Sequence, residues 1–336
     1  MRFKIKTFIK SIIGFLISGI CIYILLRSID LSALLTVISQ ADIKYLIIIY
    51  LVINLSYVIR TYRTKFLVPN DSLFLNLYKT LILGFFYNNT LPARMGEFMR
   101  AHYGAKFLNL SRATVLSGIF IERILDGFFI SLIFAVLFPM FSAQIIDFDS
   151  KPIYMVALFF GLVSLGTIIV ILLRHRLFKI FELIIGRFPS KKLKYILVKL
   201  RLFIEGFEII LTKKNFFSAI FLSLFVWLIE LSTVFFAGKT FGLDFGVSSA
   251  VLLLATTNFA SLIPSAPGAV GVIEAAGTAV LVHVGVNPQV ALSIILIIHA
   301  AQLIVVGIPG VLIVLAPKTT KYSYHNHSGV NLEVRS

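Results

Sequence analysis

Apolar residues recur along the chain in runs long enough to cross a lipid bilayer, and short polar stretches separate these runs. A membrane-spanning helix needs about 20 predominantly apolar residues. The pattern therefore predicts an all-α polytopic membrane protein with about six full spans. We place these spans at about 8–26, 45–59, 114–138, 153–173, 216–237 and 289–315.

Two further apolar segments, 73–110 and 247–284, are interrupted by proline and glycine within the sequences NNTLPARMGEFMR and NFASLIPSAPGAVGVIE. Both interruptions run from an asparagine through an aliphatic residue and a proline to a small-residue turn, a glycine and a glutamate. Irregular backbone deep in a membrane is tolerated only where protein or a water-filled cavity covers it. We interpret the segments as two re-entrant broken-helix hairpins. The residues expected to shape the breaks are Asn89, Pro92, Gly96, Asn258, Pro264, Pro267, Gly268 and Gly271.

Composition supports a membrane protein, because only 14% of the residues are charged, 59% are hydrophobic and the mean hydropathy is +0.98. A soluble domain carries about 25% charged residues. The net charge of +16 lies mostly in basic loops, which membrane proteins keep on the cytoplasmic side. The residues that follow the span 45–59, Arg60, Arg63 and Lys65, are assigned to that side. The densest basic stretch, 174–214, is predicted to be an amphipathic linker on the anionic leaflet.

These assignments place both termini in the cytoplasm and the chain in the cell (inner or plasma) membrane. The hairpin of unit 45–139 then enters from the inside and the hairpin of unit 216–315 from the outside. Inverted repeats with interrupted helices are typical of transporters whose site lies near the bilayer midplane. We predict one transmembrane domain, 1–317, followed by a disordered cytoplasmic tail, 318–336.

The first interruption carries Arg94, Glu97 and Arg100. Gly96 allows a close backbone approach, and Pro92 suits the first turn of a new helix, whose free N–H groups favour an anion. Arginine offers a forked donor to phosphate or carboxylate. One interpretation is a phosphate cradle, and the other is an anchor at the membrane surface.

A second cluster, Glu122, Arg123 and Asp126, begins the span 114–138, where charges usually face the bundle interior in pairs. As a substrate-binding or transport site it is interpreted as a polar wall that pairs with Arg94 or Arg100, or that binds a cationic head group or a proton. The other interpretation is a structural ion-pair network. The two interpretations are compatible.

Glu274 follows the second break among apolar residues, so it should be paired, protonated or next to water. It is a candidate for substrate binding or transport. Asn89 and Asn258 could bind a ligand, but the favoured interpretation is that they satisfy backbone groups freed by the breaks. His299 and Gln302 are interpreted as packing residues.

Several chemistries have no motif in the sequence. There is no Walker-A loop, dinucleotide-binding glycine motif, GxSxG elbow or HExxH motif. The single cysteine, Cys21, excludes an intrachain disulfide, and His325 and His327 are interpreted as tail residues. No metal, cofactor or catalytic residue is expected, and nucleic acid is not an expected partner.

Three motifs together resemble the lysylphosphatidylglycerol synthase transmembrane-region family, also called flippase-like or UPF0104, over about 6–316. They are L-P-A-R-x-G-E-x-x-R within 89–100, E-R-x-x-D at 122–126 and I-P-x-x-P-G-x-x-G-x-x-E at 263–274. Family members resemble the N-terminal membrane half of multiple peptide resistance factor proteins. The resemblance implies a lipid-handling protein and, near His299, an arginine that this chain lacks. In bifunctional relatives a soluble synthase domain makes the lipid; that domain is not seen here, so lipid synthesis is not expected.

The favoured hypothesis is a translocase, not driven by ATP, for a phospholipid or lipid-linked head group. The first alternative is a membrane glycosyl or phosphoryl transferase acting on a polyprenyl-linked lipid. The second is a non-catalytic partner of a lipid-modifying synthase. The expected partners are phospholipids with an anionic or aminoacylated head group, and a separately encoded lipid-modifying enzyme and a homodimer remain open.

Overall fold

The computed structural model describes residues 15–25, 27, 29–68, 72–91, 95–141, 151–185, 191–205, 207 and 212–316. Within these ranges every regular element is a helix and no strand occurs. The prediction of an all-α protein is therefore confirmed. Pro92, Arg94 and the predicted tail 318–336 lie outside the described residues.

The helices are numbered in chain order. They are α1 (Phe15–Leu25), α2 (Leu31–Ser39), α3 (Ile43–Leu67), α4 (Phe74–Thr90), α5 (Gly96–Phe107), α6 (Arg112–Phe141), α7 (Lys151–Leu172), α8 (Arg174–Ile185), α9 (Lys191–Glu205), α10 (Lys213–Lys239), α11 (Val247–Ala260), α12 (Val272–His283) and α13 (Pro288–Leu315). Of the described helices, three are long and apolar enough to cross a membrane: α3, Lys214–Lys239 of α10, and α13.

Polar side chains begin several helices by accepting hydrogen bonds from backbone N–H groups that have no partner inside the helix. Asp30 caps α2, Asp42 caps α3 and Thr212 caps α10. Asn287 caps α13, and the following Pro288 suits the first helical turn. Hydrogen bonds lower the pKa of the Asp30 carboxyl. The Ser32 hydroxyl has the largest effect, and the backbone N–H groups of Ala33 and Ser32 have smaller ones.

Helices α3 and α10 pack along each other at the centre of the bundle. The helix contacts of α3–α6 also correspond to those of α10–α13. When α3, α4, α5 and α6 are replaced by α10, α11, α12 and α13, each contacting pair maps onto another contacting pair, such as α4–α5 onto α11–α12 and α4–α13 onto α6–α11. The main apolar core forms between seven of these eight helices, all except α5, and includes Ile53, Leu81, Phe134, Leu252 and Ile294.

Helices α4 and α5 form a tight antiparallel hairpin because glycines stand where they cross. A Cβ atom on Gly96 would lie 2.1 Å from the Gly84 carbonyl oxygen and 2.4 Å from the Asn88 nitrogen. One on Gly84 would lie 2.7 Å from Cδ of Arg100. Only glycine permits this approach. The hairpin therefore holds the start of α5, with Glu97 and Arg100, against the end of α4.

The break between α11 and α12 includes a short 3-10 turn, Pro267–Ala269. Gly268 and Gly271 have φ angles of +71° and +88°, in the left-handed region that glycine occupies most readily. A Cβ atom on Gly271 would also lie 2.7 Å from the Ser18 carbonyl oxygen of α1. The Ser18 hydroxyl accepts a hydrogen bond from the Ala266 N–H at 2.9 Å. Helix α1 thus supports this break.

Candidate functional site

The two interrupted segments meet at one cavity of about 510 Å³. This volume lies within the range of about 300–1,000 Å³ that is usual for ligand sites. The first segment contributes polar side chains, and the second contributes mainly small and apolar ones. The lining includes Asn88, Asn89, Leu91 and Glu97 from the first segment, and Asn258 and 261–269 from the second.

A network of four arginines and four carboxylates forms the interior beside this cavity. Its eight members come from four helices, and their formal charges sum to zero. They are Arg60 and Arg63 of α3, Glu97 and Arg100 of α5, Glu122, Arg123 and Asp126 of α6, and Glu230 of α10. Such charges within a membrane bundle are expected to pair with one another.

The best-formed pair of the network joins α5 to α6. Both terminal nitrogens of Arg100 donate to Glu122, with Nη1–Oε1 at 2.8 Å and Nη2–Oε2 at 3.0 Å. Nη2 also donates to the Thr64 hydroxyl at 3.1 Å. Both charged side chains are buried. This forked geometry is the strongest kind of arginine–carboxylate contact, so Arg100 is held by the protein rather than turned toward the cavity.

Asp126 is the second buried carboxylate, and two arginines of α3 contact it. Arg63 Nη1 donates to Asp126 Oδ1 at 2.7 Å and to the Ser223 hydroxyl at 3.0 Å. Arg60 Nη1 lies 3.6 Å from Asp126 Oδ2. Helix α3 extends beyond the predicted span 45–59 to Leu67, and it buries the side chains of both Arg60 and Arg63 inside the bundle.

Arg60 also links the network to α10 and to the cavity. Its Nη2 donates to Glu230 Oε1 at 3.2 Å, and the same oxygen accepts from the Ser56 hydroxyl at 2.7 Å. The Arg60 guanidinium lies 6.0 Å from the ring centre of Phe85 and 5.8 Å from that of Trp227. Arg60, Glu230 and Phe85 all line the cavity, so its wall carries charge of both signs beside an aromatic face.

Arg123 and Glu97 form the open side of the network. Their side chains are 38% and 36% exposed, and Arg123 Nε lies 3.6 Å from Glu97 Oε1. Arg123 also donates to Glu122 at 2.7 Å. Both Arg123 and Glu97 line the cavity. They are the charged groups of the network that a solute could reach with least rearrangement.

A second ion pair, separate from the network, lies beneath the second break. Glu274 Oε1 is 2.6 Å from His299 Nδ1, and Glu274 Oε2 accepts the Gly271 N–H at 2.6 Å. Glu274 is thereby a first-turn carboxylate of α12 that satisfies a backbone donor at the break, as first-turn glutamates commonly do. The interpretation of His299 as a packing residue is corrected, because its ring is the partner that the Glu274 carboxylate requires.

Several of the residues singled out from the sequence come together around the cavity. Asn89, Glu97, Arg123, Asn258, Pro264, Pro267 and Gly268 line it. Arg100, Glu122 and Asp126 lie in the network behind the wall, Gly96 closes the first hairpin, and Gly271 and Glu274 lie under the second break. The roles assigned to these residues remain predictions.

Sequence reasoning missed four participants: Arg60, Arg63, Glu230 and His299. A signal existed for the two arginines, since they are three residues apart and complement the carboxylates four apart on α6. Glu230, a single carboxylate in an apolar run, carried the same signal as Glu274. In the described ranges, no group of three or more His, Cys, Asp or Glu side chains is arranged to hold a metal ion.

Together these features define an all-helical membrane protein with a charged cavity between two interrupted segments. The outer face of α10 fits this class, because Phe217, Phe221 and Phe225 are exposed there at four-residue spacing. Large exposed apolar stripes of this kind mark surfaces that contact lipid or protein.

Comparison with known proteins identifies the family. The sequence model described as the lysylphosphatidylglycerol synthase TM region matches residues 11–310, and the chain belongs to this family. It is 29% identical over 131 residues to a UPF0104 membrane protein of Methanocaldococcus jannaschii, a match that covers 38% of this chain and 38% of that protein. The aligned part is thus well under half of the relative's length. No solved structure matches the chain.

Proposed function

We propose that the protein moves a phospholipid or lipid-linked head group between the leaflets of the cell membrane. The observation that carries this proposal is the cavity of about 510 Å³ between the two breaks, with charged and apolar lining together. A lipid in transit needs both, since its head group must leave water while its chains remain in hydrocarbon. No ATP-binding motif is present in the sequence, so the movement is downhill or coupled to an ion.

In this proposal Arg123 binds the phosphate of the head group. Arg100, which the sequence suggested for this role, is engaged by Glu122 and Thr64 and is 4% exposed. Glu97 and Glu230 receive a cationic part of the head group where one is present. The substrates are membrane phospholipids with anionic or aminoacylated head groups.

We further propose an inverted repeat with two re-entrant hairpins, about six full spans and cytoplasmic termini. The exchange of α3–α6 with α10–α13 in the helix contacts supports the repeat. The breaks lie at corresponding positions of the two units, one between α4 and α5 and the other between α11 and α12. This correspondence supports a site at the repeat interface. A second copy of the chain and a separately encoded lipid-modifying enzyme are the proposed protein partners.

The proposal is tested with purified protein in unilamellar vesicles. The vesicles carry fluorescent phosphatidylglycerol, phosphatidylethanolamine or lysylphosphatidylglycerol, and dithionite quenches only the label in the outer leaflet. Exchange between leaflets lets quenching proceed beyond the outer-leaflet share. We expect such exchange for at least one lipid, and no exchange with any of them contradicts the proposal.

Two substitutions at the open side of the network connect exchange to the cavity. Glu97→Gln and Arg123→Gln each remove one half-exposed charge and are expected to slow exchange. Arg201→Gln is the matched control, because Arg201 is exposed on α9 and pairs with Glu205 away from the cavity. Equal rates for Arg123→Gln and Arg201→Gln would remove the charged wall from the mechanism.

A transferase is the second candidate, and the Glu274–His299 pair is the observation that favours it. A carboxylate that orients a histidine whose ring borders a cavity is a common arrangement for a general base. The test supplies a radiolabelled nucleotide-sugar donor and a polyprenyl phosphate acceptor to the vesicles. A labelled lipid product that the wild type forms and His299→Gln does not would support the transferase. If the wild type forms no labelled product, this candidate is removed.

A further inference from the structure

The Glu274–His299 pair is enclosed by protein and yet borders two cavities. The Glu274 and His299 side chains are 8% and 7% exposed. His299 lines the main cavity and an adjoining one of about 140 Å³, which share Glu230, Asn258 and Gln302 as lining residues. Because Nδ1 is held by Glu274, Nε2 is the ring nitrogen left for the cavities. It has no hydrogen-bond partner among the described residues.

The pair has a counterpart in the other half of the chain. Arg123 follows Arg112, the first residue of α6, by eleven residues, and His299 follows Pro288, the first residue of α13, by the same eleven. Arg123 contacts Glu97 in the first turn of α5, as His299 contacts Glu274 in the first turn of α12. An arginine keeps its charge at all physiological pH values, whereas a histidine titrates near neutrality.

We propose that Glu274 and His299 form the proton-carrying site that couples lipid movement to a proton gradient; this rests on the proposed function. With a neutral imidazole the pair carries one negative charge. When Nε2 takes a proton from water in the cavity, imidazolium and carboxylate together carry no net charge. The same nitrogen returns the proton to water when the cavity opens to the other side.

The net charge explains why the proton would control the transport cycle. An uncompensated carboxylate is costly when water is excluded, whereas a close ion pair is less so. Closing the cavity around the pair therefore favours the protonated form, so the two processes are thermodynamically linked. In the equivalent pair of the first unit, Glu97 faces Arg123, whose charge is permanent, instead of a histidine. The proposed proton site therefore has a counterpart without a histidine in the other half of the chain.

Other ionisable groups face this pair across the main cavity. Helix α11 has no ionisable side chain, and α4 contributes only the uncharged Phe85, Asn88 and Asn89 to the lining. The ionisable residues that share the cavity are Tyr57 and Arg60 of α3, Glu97 of α5, Arg123 of α6 and Glu230 of α10. Arg60 pairs with Glu230 and Arg123 with Glu97, so each acid in the cavity wall has a compensating arginine.

The first experiment measures lipid accumulation driven by a pH gradient across the vesicle membrane. One proton moved per lipid across one pH unit supports up to about tenfold accumulation in one leaflet. We expect the wild-type protein to accumulate the lipid that it exchanges. His299→Gln should lose accumulation, because glutamine can still donate to Glu274 but cannot take a proton. Accumulation by His299→Gln as large as that of the wild type would overturn the proposal.

His283→Gln is the matched control for this experiment. His283 ends α12, is exposed and does not line either cavity. It lies nine residues, or about 14 Å of helix, from Glu274. The same chemical change at this position should leave accumulation intact, and loss of accumulation in His283→Gln as well would contradict a specific role for His299.

The second experiment needs no lipid movement, so it separates failure of this proposal from failure of the proposed function. Ser265→Cys in a Cys21→Ser background places the sole cysteine in the cavity wall. Its reaction with a thiol reagent, normalised to unfolded protein at the same pH, should change between acidic and mildly alkaline pH. Adding His299→Gln should abolish the change. A pH response that His299→Gln leaves intact, or no response in the parent, would contradict the proposal.

Discussion

The Arg100 guanidinium lies fork to fork on the Glu122 carboxylate, inside a bundle where neither side chain reaches solvent. The contact joins α5, which follows the first break, to the long helix α6. It thereby fixes the hairpin against the rest of the bundle. Glu122 also contacts Arg63 at 3.6 Å and Arg123 at 2.7 Å, so its charge is shared among three helices.

Removing one member of this pair should be more destabilising than removing both. Arg100→Met or Glu122→Leu alone leaves a buried charge uncompensated, which costs about 3–5 kcal/mol. The double variant keeps the network neutral, so its loss of stability should be well below the sum of the single losses. Unfolding in mixed detergent micelles at increasing denaturant measures the three values.

Arg201→Gln gives the reference for a solvent-exposed pair. Arg201 and Glu205 are 68% and 46% exposed and four residues apart on α9. Loss of such a pair costs less than about 1 kcal/mol. Two results would show that the buried pair does not hold the hairpin. In the first, the losses in unfolding free energy from the Arg100 and Glu122 substitutions are additive. In the second, each single loss is no larger than that of Arg201→Gln.

Gly96→Ala should disrupt the first hairpin, although it adds a single methyl group. The added Cβ atom would meet backbone atoms of Gly84 and Asn88, which cannot rotate away. Overpacking of this kind costs about 1–3 kcal/mol. Thermal unfolding in detergent, followed by size-exclusion chromatography of the surviving protein, measures the effect.

Gly307→Ala is the control for this substitution, because a Cβ atom on Gly307 of α13 has no other atom within 4 Å. Its replacement should leave stability unchanged or raise it by up to about 1 kcal/mol, since alanine favours helix more than glycine does. Equal melting temperatures for the two variants would refute the close contact between α4 and α5.

The parts of the site that depend on local spacing could be predicted from the sequence. The glycine–proline breaks, Glu122 and Asp126 on one helix face, and a partner for Glu274 all follow from short patterns. The contact of Arg100 with Glu122 also agrees with the expected polar wall. The choice of Arg100 rather than Arg94 does not follow from the sequence, and Arg94 lies outside the described residues.

The parts that depend on packing between distant helices could not be predicted. Arg60 and Glu230 are 170 residues apart, and no sequence spacing relates them. Arg60 and Arg63 follow an apolar run, where charges usually mark the end of a span. Here α3 continues past them because carboxylates of α6 and α10 offer partners inside the bundle. A rule based on charge alone ends the span too early at such a place.

Glu274→Gln should abolish accumulation driven by a pH gradient while the protein remains folded. The glutamine carbonyl can still accept the Gly271 N–H, so the turn at the second break keeps its hydrogen bond. The carboxylate that would compensate a protonated His299 is lost, so the pair no longer becomes neutral when the imidazole takes a proton. The vesicle assay measures accumulation, and elution from a sizing column confirms folding. Wild-type accumulation in Glu274→Gln would remove this carboxylate from the coupling.

Cysteine labelling distinguishes an inverted repeat from a parallel one. Lys106 and His283 lie at the ends of the equivalent helices α5 and α12, and both are exposed. An inverted repeat places these ends on opposite sides of the membrane. In a Cys21→Ser background, an impermeant maleimide added to intact cells should label His283→Cys and spare Lys106→Cys until the cells are permeabilised.

Arg201 and Asp244 serve as reference positions for the two sides of the membrane in this experiment. Arg201 lies in the basic linker, which should stay in the cytoplasm. Asp244 lies in the loop after α10, which we expect on the opposite side. Arg201→Cys should therefore behave like Lys106→Cys, and Asp244→Cys like His283→Cys. Labelling of Lys106→Cys and His283→Cys from the same side would show that the two units run parallel. The cavity could then not open alternately through equivalent hairpins on opposite faces, and the proposed transport cycle would lose its structural basis.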